Sequence, residues 1–157
     1  MMLFVDWKTV FEVLFAILFL AGMIVLGSFF IVRSLSASFK EVFKYQSKFD
    51  IELRKSLNLL SKVIESQTLT NYLNQNIKEL TNAEKKKIML FVDQLYLQID
   101  TSLPINQYIV ETYENLQELR RVRDSLVLIF NQKILMFPFN VYARLLKMKK
   151  SEVYTIE

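Results

Sequence analysis

A run of twenty residues, 13–32, reads VLFAILFLAGMIVLGSFFIV and carries no charge. Glu12 closes it on one side and Arg33 on the other. A helix rising about 1.5 Å per residue crosses the ~30 Å hydrocarbon layer of a bilayer in that length. Inside hydrocarbon every backbone polar group must find its partner within the segment, so a helix is the expected form. Whatever residues 33–157 fold into is then held at a membrane surface.

The run reads as a retained anchor. A cleaved signal peptide has a shorter apolar core followed by small residues at the cut. Here Ser34, Ser36, Ala37 and Ser38 come only after the charge of Arg33. The lead, residues 1–12, carries one cation, Lys8, and the opposite flank carries Arg33, Lys40, Lys44 and Lys48. Cations stay on the cytoplasmic side, which predicts a single pass through the cell membrane with the N-terminus outside and the bulk of the chain cytoplasmic. Trp7 stands where an interfacial anchor belongs. Ala21 and Ser28, seven apart, share a face of the span, as ordinary span composition also allows.

The 125 residues after Val32 are enough for one small domain. The chain has no Cys and no His, which excludes disulfides, thiol chemistry, imidazole acid–base work and the usual zinc sites. Both glycines, Gly22 and Gly27, lie in the span, so no glycine loop is left to cradle a phosphate. The prolines are Pro104 and Pro138. Such a composition is helical. Residues 33–157 hold 19 Lys and Arg against 14 Asp and Glu. That mild excess suits an anionic membrane face. No basic stripe with interleaved aromatics points to nucleic acid.

Apolar residues recur at Leu35, Phe39, Val42, Phe43, Phe49, Leu53, Leu57, Leu60 and Ile64, three and four apart, as one helical stripe continuing out of the span. The Thr- and Asn-rich stretch 68–76 weakens it, with room for a short helix over 71–80. Thr81 and Glu84 read as a capping box opening a helix that runs to about residue 100, with Ile88, Phe91, Val92, Leu95 and Ile99 inward. Residues 101–104 are a loop. A long helix is predicted over 106–136, with Ile109, Tyr113, Leu116, Leu119, Val122, Leu126, Phe130 and Ile134 on its stripe, ending where Pro138 disfavours helix. Residues 141–150 are amphipathic and basic. The expected architecture is all-α: a transmembrane helix at 13–32, an antiparallel up-and-down bundle of three long helices over 33–140 (four if 71–80 counts), and a basic tail over 141–157.

The C-terminal stretch FNQKILMFPFNVYARLLKMKKSEVY resembles the signature of the LemA family, a helix ending in Y-N-x-x-I-x-x-F-P-x-N-x-x-A before a basic, Tyr-containing tail. Phe130, Asn131, Ile134, Phe137, Pro138, Asn140 and Ala143 fall on that run, Phe130 at its Tyr. The block FDIELRKSLNLLSKVIE is similar to the family's I-D-V-Q-L-K-R-R-x-D-L-I-P-N-L-V-E, with Asp50, Leu53, Leu59 and Glu65 matching. Ser61 replaces the family's Pro, so no kink is expected there, and the family's second helix is reduced to residues 67–80. The resemblance implies a shortened, divergent member: a single-span bacterial membrane protein with a helical-bundle domain. It implies no specific activity, although some relatives are associated with organising internal membranes.

Glu111, Glu114 and Glu118 share a helix face, but without His the usual carboxylate-bridged metal site cannot be completed. They read as a solvated acidic face, and neither metal nor cofactor is expected. Lys85, Lys86 and Lys87 open a helix where positive charge opposes the dipole. They read as a helix surface, or else as a contact for phosphate or an acidic partner. Arg120, Arg121 and Arg123 read as surface ion pairing. Arg144, Lys147, Lys149 and Lys150 stand beside Val141, Tyr142, Leu145, Leu146 and Met148, a composition suited to an anionic leaflet. The expected function is a non-enzymatic, membrane-anchored scaffold that contacts lipid and a protein partner or another copy, with no nucleic acid and no small-molecule substrate. The alternative is a self-assembling structural protein that organises membrane. A small enzyme is the third and weakest reading.

Overall fold

The computed structural model describes residues 7–155. Of the expected lead and tail, residues 1–6 and 156–157 lie outside the described residues. Five α-helices and two 3₁₀ turns account for most of the rest, with no strand among the described residues. The first helix, α1 (Trp7–Leu60), is a single element of 54 residues, about 80 Å long at the usual rise. It is the one helix among the described residues long and apolar enough to cross a membrane, and its apolar window is unburied.

Beyond the window α1 becomes the spine of a helical domain. Leu35, Val42, Phe49, Leu53, Leu57 and Leu60 are buried as the periodicity predicts. Phe39 and Phe43 remain exposed on the same element. The helix stops at Leu60, where the amides of Lys62 and Val63 turn back to Leu59 and Leu60. Ser61 thus lies in a turn, not within the unkinked helix that a missing Pro would suggest.

The short second limb differs from the predicted 71–80 helix. Helix α2 (Gln67–Leu73) starts earlier, and a 3₁₀ turn at Ile77–Glu79 follows it. Leu69 and Ile77 are its buried residues. They set the register by packing against the α1 stripe, and this burial outweighs the weak helix preference of the intervening Asn residues. Helix α3 (Asn82–Tyr96) opens with the predicted capping box. The Thr81 amide donates to Glu84 Oε2 at 2.7 Å, and the Glu84 amide donates to Thr81 Oγ1 at 3.3 Å.

Helix α4 (Gln107–Lys133) runs antiparallel to α1. Ile109 meets Leu60 at one end, Arg123 bonds Gln46 midway, and the Phe130 ring lies 5.8 Å from that of Phe39. Helix α5 (Phe139–Leu145) begins directly after Pro138. Two apolar clusters result. The one distal to the window joins Phe49, Leu53, Leu57, Ile88, Leu116 and Tyr154. The proximal one joins Leu35, Val42, Val127, Phe130, Ile134 and Ala143. Each fully buried large apolar side chain contributes about 1.5–3 kcal/mol.

Candidate functional site

Between the two clusters lies a buried polar layer. Lys85 of α3 donates to Asp50 of α1 at 2.9 Å, with both side chains almost wholly buried. Gln46 Nε2 donates to the other Asp50 oxygen at 2.8 Å, and Gln46 Oε1 accepts from Arg123 Nε at 2.9 Å. Arg123 in turn pairs with Asp124 at 2.7 Å. Its guanidinium lies 3.7 Å from the centre of the Tyr154 ring. The two cations and two carboxylates balance, which a buried layer requires.

Asp124 is where the C-terminal segment attaches. Its carboxylate accepts from the amides of Tyr154 at 3.0 Å and Thr155 at 2.7 Å, and from the Thr155 hydroxyl at 2.6 Å. Burial pushes this carboxyl up, but the bonds from Thr155, Tyr154 and Arg123 outweigh it and hold it below the ordinary value. Arg120 donates to the Tyr154 carbonyl at 3.2 Å. Two turns nearer the apolar window, Asn131 donates to the Ser151 carbonyl at 2.8 Å and accepts from the Ser151 amide at 2.9 Å. Tyr154 is buried against Phe49, and its hydroxyl donates to Asn82 at 2.9 Å. Burial pushes that hydroxyl up to about 12. The tail therefore runs antiparallel along α4 and closes the distal core.

The structure corrects two basic clusters. Lys85 is not a surface cation, because helix α3 starts opposite Asp50. Arg123 is likewise core, whereas Arg121 is exposed. Glu111, Glu114 and Glu118 are all exposed, as a solvated face requires. No group of Asp and Glu suited to a metal occurs among the described residues. A surface hollow on α4 is lined by Tyr96, Tyr113, Glu114, Gln117, Glu118 and Arg121. Its two tyrosine rings stack with centroids 3.7 Å apart. Tyr113 donates to Asp93 at 2.8 Å. Burial, then the Asp93 carboxylate, pushes the Tyr113 hydroxyl up to about 12.

Arg144, Lys147, Lys149 and Lys150 are all exposed. They sit at the end of the domain from which the apolar window emerges. Tyr142 of α5 hydrogen-bonds Ser28, inside the uncharged run. Lys133 holds the Ser34 carbonyl at 3.3 Å and Ser38 Oγ at 2.9 Å. Helix α5 is short because the chain turns at Lys147, whose φ is 54°. The Met148 amide bonds the Ala143 carbonyl at 2.9 Å and the Lys147 amide bonds that of Arg144 at 3.1 Å, closing a Schellman turn.

The residues that carry the LemA resemblance occupy distinct structural positions. Asp50 and Leu53 lie in the core of α1, Asn131 clamps the tail, and Pro138 caps α5 beside Asn140. Phe137 is 82% exposed. No family model, curated protein or solved structure matches the chain.

Proposed function

We propose that the chain is a membrane-anchored helical scaffold of the LemA type that works by contact with lipid and protein, without catalysis. Residues 13–32 cross the membrane once, the N-terminus lies outside, and residues 33–140 form an up-and-down bundle on the cytoplasmic side, followed by the basic tail over 141–157. Partners on this reading are the bilayer and a protein or second copy, with neither nucleic acid nor a small-molecule substrate. The observation that carries it is the unbroken helix from the unburied apolar window into the domain spine. A rigid connection of that kind fixes the bundle's height and orientation against the bilayer. Four exposed cations stand at the same end.

The test is protease protection on sealed spheroplasts with a tag after Glu157. A protected tag is expected. A cleaved tag would place the bundle outside the membrane and direct the search for partners to the envelope.

One observation favours the second reading, self-assembly. Phe39 and Phe43 are 46% and 66% exposed on the stretch of α1 that the short second limb leaves uncovered. Sedimentation of the full chain in micelles, with Phe43→Glu as control, checks it. A monomer at all concentrations argues against that reading.

A further inference from the structure

The turn between α4 and α5 carries a second exposed apolar surface, at the end of the domain from which the apolar window emerges. Leu135, Met136 and Phe137 at the turn are 59%, 61% and 82% exposed, and Leu145 on α5 is 73% exposed. Large apolar side chains left this exposed around one turn point to an interaction site.

Its position identifies the occupant. Ser28 lies four residues inside the end of the uncharged run, about 6 Å below the level of Val32 at the usual helical rise. The Tyr142 hydroxyl reaches down to it. Ile31, also within the run, packs with Tyr142, Phe139 and Leu35 in the proximal cluster. Helix α5 is therefore level with the last turn of the run, and its outward side chains continue the lipid-facing surface of α1 laterally.

The charges agree with this placement. Lys149 and Lys150 immediately precede Ser151, which Asn131 clamps beside Phe130 and Phe39. That level is about 10 Å beyond Val32 along α1, just outside the headgroup layer and within reach of it for a lysine side chain. Arg33 lies at the boundary itself. Apolar side chains at the turn with Lys149 and Lys150 above them follow the order of hydrocarbon and anionic headgroups, and Arg144 and Lys147, on and just after α5, reach the headgroups along their apolar stems.

We infer that residues 135–146 form a monotopic insertion in the leaflet that the span leaves. Phe137, Met136, Leu135 and Leu145 sit in the acyl boundary, and Arg144, Lys147, Lys149 and Lys150 contact anionic headgroups. The domain is then fixed to the bilayer at two points, which removes its freedom to swivel about α1. The inference rests on residues 13–32 spanning the bilayer.

The chain has no Cys, so single-cysteine variants carry one label each. Full-length Leu20→Cys, Phe137→Cys, Leu145→Cys and Leu97→Cys are labelled with an environment-sensitive fluorophore and reconstituted in phosphatidylcholine–phosphatidylglycerol vesicles. Leu97 is 83% exposed at the distal end of the domain and matches Phe137 in accessibility. Labels at 137 and 145 are expected to shift to the blue and lose fluorescence to a quencher on the upper acyl chain, while the label at 97 responds only to aqueous iodide. Equal behaviour at 137 and 97, with position 20 quenched by lipid, overturns the insertion and leaves the anchor intact. A label at 137 shielded from both quenchers overturns it in favour of a second copy on this surface. If position 20, which a span over 13–32 puts near mid-bilayer, escapes a second quencher at the acyl-chain terminus, the anchor reading fails and the insertion with it.

Discussion

Lys85 Nζ lies 2.9 Å from Asp50 Oδ2, joining two helices across a site where both side chains are nearly inaccessible to water. Removing one partner leaves the other as an uncompensated buried charge. Asp50→Ala or Lys85→Ala is therefore expected to cost about 3–5 kcal/mol, whereas exchange of both for apolar residues of similar size is far milder. Denaturation of the full chain in micelles, followed by circular dichroism, checks this for Asp50→Ala, Lys85→Ala and the double variant Asp50→Leu/Lys85→Met. A double variant as unstable as the worse single one would show that the loss comes from packing and not from the orphaned charge.

The attachment of the tail to α4 depends on pH through Asp124. Its folded-state value lies below the ordinary 3.8 because Thr155, Tyr154 and Arg123 donate to the carboxylate more strongly than burial opposes it. A depressed carboxyl contributes stability that is present above the unfolded-state value and is lost as pH falls through the folded one. The Tyr154 and Thr155 amide resonances should therefore hold their positions down to about pH 4 and move to random-coil shifts below it. Asp124→Asn should show a loosened tail at every pH and no acid step. Retention of that step in the Asn variant would assign it to another carboxylate.

The helical class, the long apolar window and the capping box at Thr81 and Glu84 were legible because each depends on residues near one another in the chain. Spacing alone exposes a stripe such as Leu35, Val42, Phe49, Leu53 and Leu57. The polar layer was not legible by that route. Lys85 and Asp50 are 35 residues apart, and Gln46 and Arg123 are 77 apart. In sequence Arg123 is one of three neighbouring arginines, and nothing local separates the buried member from exposed Arg121. Tyr154 was hidden for the same reason, since its ring is held by Phe49 and Arg123 from two distant helices. The α2 register was missed because it follows burial of Leu69 and Ile77 against α1, not the intrinsic preference of the segment. The basic composition of residues 141–150 was readable. That the four cations stand at the end of the domain from which the apolar run emerges follows only from the return of α4 and the Tyr142–Ser28 contact.

Lys147 combines two roles that substitution can separate. Its φ of 54° is the left-handed conformation at the turn after α5. A side chain there costs about 1 kcal/mol relative to Gly. Lys147→Gly should stabilise the helical domain by roughly that amount, since it relieves the backbone while keeping the bonds of the Schellman turn. Lys147→Gln retains the backbone cost and should leave stability nearly unchanged. Both variants lose the same charge, so both should weaken the response of a label at position 137 to anionic lipid by the same factor. Thermal unfolding in zwitterionic micelles reads the first property, and lipid titration at two salt concentrations reads the second. If Lys147→Gly gains stability while Lys147→Gln and Lys147→Gly differ in their lipid response, the geometry of the turn governs the membrane contact more than the charge of Lys147 does. If the two respond alike, the charge is the property that matters there.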